Sequence, residues 1–157
     1  MDARVTSRAT IAGLGITELK QITDARGAVL HFLRNDAPGF LGFGECYCSE
    51  VVPGAVKAWT RHTRQTQNLA VPVGRVRLLV FDDREGSPTR GRTDVLELGR
   101  PDAYVRLQLP PGLWYGFASI ASSPALLVNC TDVPHSPSEA EQRAWDDPAM
   151  PAFWSVE

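Results

Sequence analysis

The sequence is short of cysteine, of charge of one sign and of long apolar runs, and each shortage closes off a class of function. Three cysteines (Cys46, Cys48 and Cys130) are an odd number in a 157-residue chain, which is large enough to bury a core without staples. Free thiols and a reducing, cytoplasmic setting are expected, rather than a disulfide framework. Sixteen Lys and Arg stand against eighteen Asp and Glu, and the basic residues are scattered, so neither a nucleic-acid surface nor a polybasic membrane anchor is expected. No run approaches the roughly 18 apolar residues of a membrane-spanning helix. Met1 to Ile11 carry Asp2, Arg4 and Arg8 with no apolar stretch, so no signal peptide is expected either.

What the chain does have is 13 glycines and 12 prolines, too many for a helical bundle. They close short apolar segments: Ala28 to Leu33, Val71 to Phe81, Val95 to Leu98, Tyr104 to Leu109 and Ala125 to Val128. Such spacing predicts an all-β sandwich or barrel. Period-two alternation sets Val76, Leu78 and Val80 on one face, and Val105, Leu107 and Leu109 on another. Pro110-Pro111-Gly112 predicts a turn. Ser136-Pro137-Ser138-Glu139 has the form of a capping box with proline at the first helical position, predicting a short C-terminal helix to about Trp145. No linker or repeat divides the chain, so one domain over 1–157 is expected: an N-terminal strand arm at about 1–20, a barrel at about 21–130, and a C-terminal helix and tail at about 131–157.

Two stretches carry more than architecture. From Gly54, Thr60, His62 and Gln67 to Gly74, the spacing is that of the first cupin motif, G-x5-H-x-H-x4-E-x6-G, and Pro110 to Tyr115 has the P-x-G-x-x-H spacing of the second. Asp24-Ala25-Arg26-Gly27, Ser87-Pro88-Thr89-Arg90-Gly91, Pro110-Pro111-Gly112, Tyr115-Gly116-Phe117 and Trp145-Asp146-Asp147-Pro148 then follow in order. Over about residues 15–154 this series resembles the stations of the dTDP-4-dehydrorhamnose 3,5-epimerase family. The resemblance implies a homodimeric cupin jelly roll that binds a nucleotide-linked 4-keto-6-deoxy sugar in the barrel mouth, without metal or other cofactor.

In that family a histidine base removes the proton at C3 or C5, an aspartate orients it, a lysine holds the enolate oxygen and a tyrosine returns a proton. A base for such work titrates near neutrality, and the developing oxyanion needs donors fixed in advance. Here the base position is Thr60, the aspartate position is Leu78 and the lysine position is Gln67. Tyr115 stands where the family has histidine before Gly-Phe, and the acid tyrosine falls near Val133-Pro134-His135. The resemblance therefore implies that the His–Asp pair is lost as a unit. Gln67, Tyr115, His62 and His135 remain as substitutes, with His62 two residues along the strand from Thr60 and on the same face.

Binding stations are better kept. Arg26 matches the family's pyrophosphate arginine, and Lys57 replaces a second arginine, keeping charge but not the bidentate fork. Ser49 matches a family serine, with Glu45 and Tyr47 at neighbouring inward positions, and His31 replaces a glutamate beside the nucleotide. Among the four cupin ligand positions, Thr60, His62, Gln67 and Tyr115, a single imidazole stands with three neutral groups, a poor set for a transition metal. Trp59 alternates outward; Arg61, Arg64, Arg75 and Arg77 are expected on a solvated face. Three functions stay open: an epimerase with altered chemistry, a repurposed isomerase or cyclase of a secondary-metabolite pathway, and a non-catalytic binding homologue.

Overall fold

The fold comes from a computed structural model that describes residues 8–154. The ends of the expected N-terminal arm and C-terminal tail, 1–7 and 155–157, lie outside the described residues. The strands are β1 (Gly15–Glu18), β2 (Gln21–Asp24), β3 (Gly27–Leu30), β4 (Glu45–Val51), β5 (Val56–His62), β6 (Gln67–Val73), β7 (Arg75–Phe81), β8 (Thr93–Gly99), β9 (Val105–Leu109), β10 (Trp114–Ser119), β11 (Ala125–Thr131) and β12 (Ala140–Gln142). They form two five-stranded sheets, β1-β9-β6-β11-β4 and β12-β5-β10-β7-β8, and a separate hairpin, β2-β3. Neighbouring strands run antiparallel, the jelly-roll arrangement. No helix among the described residues is long and apolar enough to cross a membrane.

Alternation builds the core as the sequence predicts. Val76, Leu78 and Val80 of β7 meet Leu107 and Leu109 of β9, Leu69 and Val71 of β6 and Leu127 of β11 between the sheets. Leu78, at the family's aspartate position, is wholly buried there. The apolar run from Val71 to Phe81 is two strands, not one, because it breaks at Gly74. That glycine has φ near 76°, and a Cβ would come within 2.7 Å of the Ala125 backbone, so only glycine turns the chain there. A second apolar cluster lies on the outer face of the β5-containing sheet, where Met150 and Phe153 cover Trp59, Leu79, Val95 and Trp114.

One expectation needs correction. No helix follows Ser136: after a single turn (Glu139 N–H to Ser136 O, 3.0 Å) the chain becomes β12, paired to β5 through Ala140–His62, Glu141–Arg61 and Gln142–Thr60. An open strand edge offers unpaired donors and acceptors, and pairing with it outweighs the local capping preference. β1 pairs with β9 in the first sheet, whereas the hairpin over Gln21–Leu30 stands off from both sheets, with Ile22 and Val29 exposed. The Ser87-Pro88-Thr89 station is structural. Its two hydroxyls donate to the buried Asp82 carboxylate at 2.6 and 2.7 Å, and the Arg84 guanidinium joins them.

Candidate active site

The site grows from β5. Between Thr60, opposite Tyr115, and Lys57, opposite Phe117, the register slips by one residue, so Ala58 and Trp59 face Gly116 as a bulge. A Cβ at Gly116 would lie 2.3 Å from the Ala58 Cβ, so this close approach requires glycine. Directly opposed residues share a face, and the bulge therefore brings Lys57 to the side of Thr60 and His62. Trp59 stays outside, packed on Phe153 with ring centroids 5.3 Å apart.

His62 is buried, and its Nδ1 lies 2.7 Å from the Glu139 carboxylate. Glu139 also accepts from the N–H groups of Arg64 and Gln65, each at 2.9 Å. Burial works against its charge, but the two N–H groups and the His62 ring outweigh that and hold the carboxyl below its usual range. An ionised carboxylate only accepts, so Nδ1 carries a proton, and in the neutral ring the lone pair lies on Nε2. That nitrogen is 3.5 Å from the Tyr115 hydroxyl, and the two rings stack at 6.0 Å. Burial pushes the Tyr115 hydroxyl up, with Tyr47 and Glu139 adding to the effect, so it stays protonated at neutral pH. The pair that Leu78 appeared to abolish is thus present in another form, His62 with Glu139. Nothing local in the sequence announces Glu139, because it lies 77 residues from its partner and its neighbours have the form of a helix start.

The outer side of β5 holds β12, and Glu139 with it, in place. Arg61 bridges Asp83 at 2.9 Å and Glu141 at 2.7 Å, while its guanidinium lies 4.5 Å from the centre of the Trp114 ring. Arg143 stacks on the same ring at 5.2 Å, and the indole N–H donates to Asp83 at 3.0 Å. Arg61 is therefore a brace between strands rather than a solvated charge.

Deeper in the mouth runs a chain of amides. Gln65 donates to Val133 O (2.9 Å), Gln67 donates to Gln65 Oε1 (3.0 Å), and Asn129 donates both to Gln67 Oε1 and to the Tyr47 hydroxyl oxygen (3.0 Å). Asn129 was not anticipated. Its one signal is a polar residue at the inward parity of a strand whose Ala125 and Leu127 are core. Of the remaining candidates, Lys57 Nζ donates to Ser49 Oγ at 3.0 Å, joining the two binding stations on β4 and β5. Thr60 and Glu45 are half-buried. His31 is half-buried beyond the hairpin, its carbonyl accepting from Tyr104 Oη at 2.8 Å. His135 is exposed beside Arg64 and Val133 rather than at the His62 ring. Arg26, at the hairpin turn, has a side chain 90% exposed and is paired with Asp24 at 2.7 Å. The structure thus gathers His62, Tyr115, Gln67, Tyr47, Ser49 and Lys57, and leaves Arg26, His31 and His135 outside that group.

Comparison with known proteins places this geometry. The family model described as dTDP-4-dehydrorhamnose 3,5-epimerase matches residues 8–157. The chain belongs to the dTDP-4-dehydrorhamnose 3,5-epimerase family. It is 28% identical over 149 residues to the spore coat polysaccharide biosynthesis protein SpsL of Bacillus subtilis, covering 94% of this chain and 98% of that one. The probable low-salt glycan biosynthesis epimerase Agl13 of Haloferax volcanii is 34% identical over 116 residues, covering 73% and 74%. A crystal structure of a dTDP sugar isomerase from Desulfovibrio desulfuricans G20 superposes with a TM-score of 0.90 at 49% identity, covering 94% of each chain. Within this epimerase-family barrel, the imidazole–carboxylate pair is made by β5 and the segment that leads into β12.

Proposed function

We propose that the chain is an epimerase or isomerase that enolises a nucleotide-linked 4-keto-6-deoxy sugar, with His62 as its base. The observation that carries the reading is the 2.7 Å bond from His62 Nδ1 to buried Glu139, which leaves Nε2 basic beside Tyr115. In this reading Nε2 takes a proton from the carbon next to the ketone, the electron pair moves to the carbonyl oxygen, and the carboxylate stabilises the imidazolium. Tyr115, kept protonated by burial, supplies a hydroxyl proton close to the ring. Lys57 with Ser49 offers a cationic seat for a diphosphate oxygen. Membership of a family described as sugar epimerases, and relatives named for glycan and polysaccharide biosynthesis, support the substrate class.

Incubation with dTDP-4-keto-6-deoxyglucose in D₂O, followed by NMR, should introduce deuterium at C3 or C5. His62→Ala should lower the rate by about 10²–10⁴-fold, the usual worth of a general base. Binding without any incorporation by the wild type would overturn the reading. A repurposed isomerase or cyclase is favoured by one observation, that Arg26 is engaged with Asp24 and exposed; tight binding of the sugar nucleotide would count against it.

A homodimer belongs to the same proposal. The edge strand β4 and the exposed hairpin residues Ile22 and Val29 offer surface for a second copy to cover. Light scattering should then give about twice the 17.2 kDa chain mass, and a monomer mass would refute it. The unpaired state of Cys46, Cys48 and Cys130 supports the cytoplasmic setting.

A further inference from the structure

Gln67 stands where the family resemblance puts a lysine, and the simplest expectation is that its amide holds the enolate oxygen in the lysine's place. The geometry points elsewhere. Gln67 has no exposed surface, its Nε2 donates to Gln65 and its Oε1 accepts from Asn129, so its amide is committed within the wall of the barrel.

The direction of the whole chain is set at its far end. Val133 O is a backbone carbonyl and can only accept, so Gln65 must turn its Nε2 toward it, at 2.9 Å. Gln65 then presents Oε1 to Gln67, Gln67 presents Oε1 to Asn129, and Asn129 is left with its Nδ2 toward Tyr47. Amide orientation, ordinarily ambiguous, is fixed here by that one carbonyl. The Tyr47 oxygen therefore accepts from Asn129, and its own proton is free for another acceptor. Asn129 sits opposite Tyr47 in the β4–β11 register, so both side chains share the inward face. Tyr47 is 41% exposed, whereas Gln67 and Asn129 are closed off, so it is the one member of the chain that a ligand can reach.

Resting on the enolisation reading, we propose that the Tyr47 hydroxyl, held by Asn129, donates the hydrogen bond to the enolate oxygen of the bound keto sugar. Tyr47 is the catalytic residue in this assignment and Asn129 a positioning residue. When His62 removes the carbon-bound proton, the C–H electron pair becomes the C=C bond and the carbonyl π pair moves onto oxygen. The Tyr47 O–H meets that charge without itself being transferred; the oxygen pair then re-forms the C=O bond as the C=C pair takes a proton from the Tyr115 hydroxyl, and the His62 imidazolium, 3.5 Å away, returns its proton to the Tyr115 oxygen. Two further observations fit. Burial raises the Tyr47 hydroxyl above its ordinary range despite the Asn129 bond, so it remains a donor at neutral pH. The amide row also reaches the His62–Glu139 pair, because the Gln65 N–H donates to the Glu139 carboxylate at 2.9 Å. A row of aligned amides also polarises its terminal hydroxyl, partly replacing a positive charge.

The test is solvent-deuterium incorporation into dTDP-4-keto-6-deoxyglucose by wild type, Tyr47→Phe, Asn129→Leu and the double variant, with kcat and KM measured separately. Tyr47→Phe should keep the wild-type melting temperature and lose about 10²-fold in kcat, as expected for removal of one oxyanion donor, with KM within about threefold. Asn129→Leu should also lose kcat, and the double variant should lose little more than Tyr47→Phe alone, because the two residues act as a unit. Wild-type kcat in Tyr47→Phe, or a loss confined to KM, would overturn the assignment while leaving His62 as base. Absence of incorporation by the wild type would overturn the enolisation reading and this assignment together.

Discussion

The barrel mouth and the β2–β3 hairpin, which carries the arginine that the family resemblance assigns to a pyrophosphate, are built in opposite ways. In the mouth, His62 is pinned by Glu139, Glu139 by two backbone N–H groups, and Tyr47 by a row of amides, with most of these groups buried. On the hairpin, Arg26 is exposed and its partner is Asp24, two residues away. Polar groups buried without partners are costly, and the buried groups of the mouth are paired within the barrel apart from Asn129 Oδ1. An exposed ion pair carries little energy and exchanges readily, so the pairing with Asp24 does not by itself commit Arg26. In the proposed reading, proton transfer is organised by the fold, and any anion capture by the hairpin is left to the moment of binding.

The largest expected break in this contrast is Glu139→Gln. Glutamine cannot balance an imidazolium and admits the other ring tautomer, so deuterium exchange should fall by about 10²-fold, at the lower end of a general base's worth. Stability should fall by about 1–3 kcal/mol in urea unfolding, because a buried charged acceptor is replaced by a neutral one. An exchange rate within twofold of wild type would show that the carboxylate does not tune His62. Arg26→Ala should act on the other half alone, weakening sugar-nucleotide binding about tenfold by calorimetry, as for loss of one charge-assisted contact, with the melting temperature unmoved. A changed melting temperature would mean that the hairpin is structural.

The smallest effect lies in pH. Glu139 is held below its ordinary value of 4.5, so it contributes stability above about pH 4.5 that is lost as pH falls through its lower folded value. Glu139→Gln should therefore lose less stability than the wild type on acidification below pH 4.5. Asp82 is depressed in the same direction, because burial, which would raise it, is outweighed by hydrogen bonds from Arg84, Ser87 and Thr89, so part of the acid sensitivity should survive in the variant.

Alternation made the sandwich legible. Val76, Leu78 and Val80 face inward as their period demands, and Leu107 and Leu109 do the same. The face shared by Thr60 and His62 also follows from period two. Lys57 does not, because a bulge changes its face, and the bulge depends on Gly116 of another strand. Glu139 illustrates the harder limit. Ser136 to Glu139 satisfies a local helix rule, and what overrides it is an open edge and a histidine distant in sequence. Arg61 was misread for the same reason, since its partners Asp83 and Glu141 come from other parts of the chain. Local pattern reports faces and turns; it is silent on which distant carboxylate will meet which imidazole.

The separation between His62 and Glu139 has a consequence during synthesis. A ribosome adding residues at cellular rates delivers Glu139 on the order of 4–15 s after His62, given the 77 positions between them. By then the sequences of both large sheets, apart from β12, have been made. In a chain clipped between Thr131 and Glu139 the imidazole would have no carboxylate from this segment to aim it or balance its charge. In the proposed reading, the carboxylate that completes the catalytic pair is made only after the strands of both large sheets other than β12.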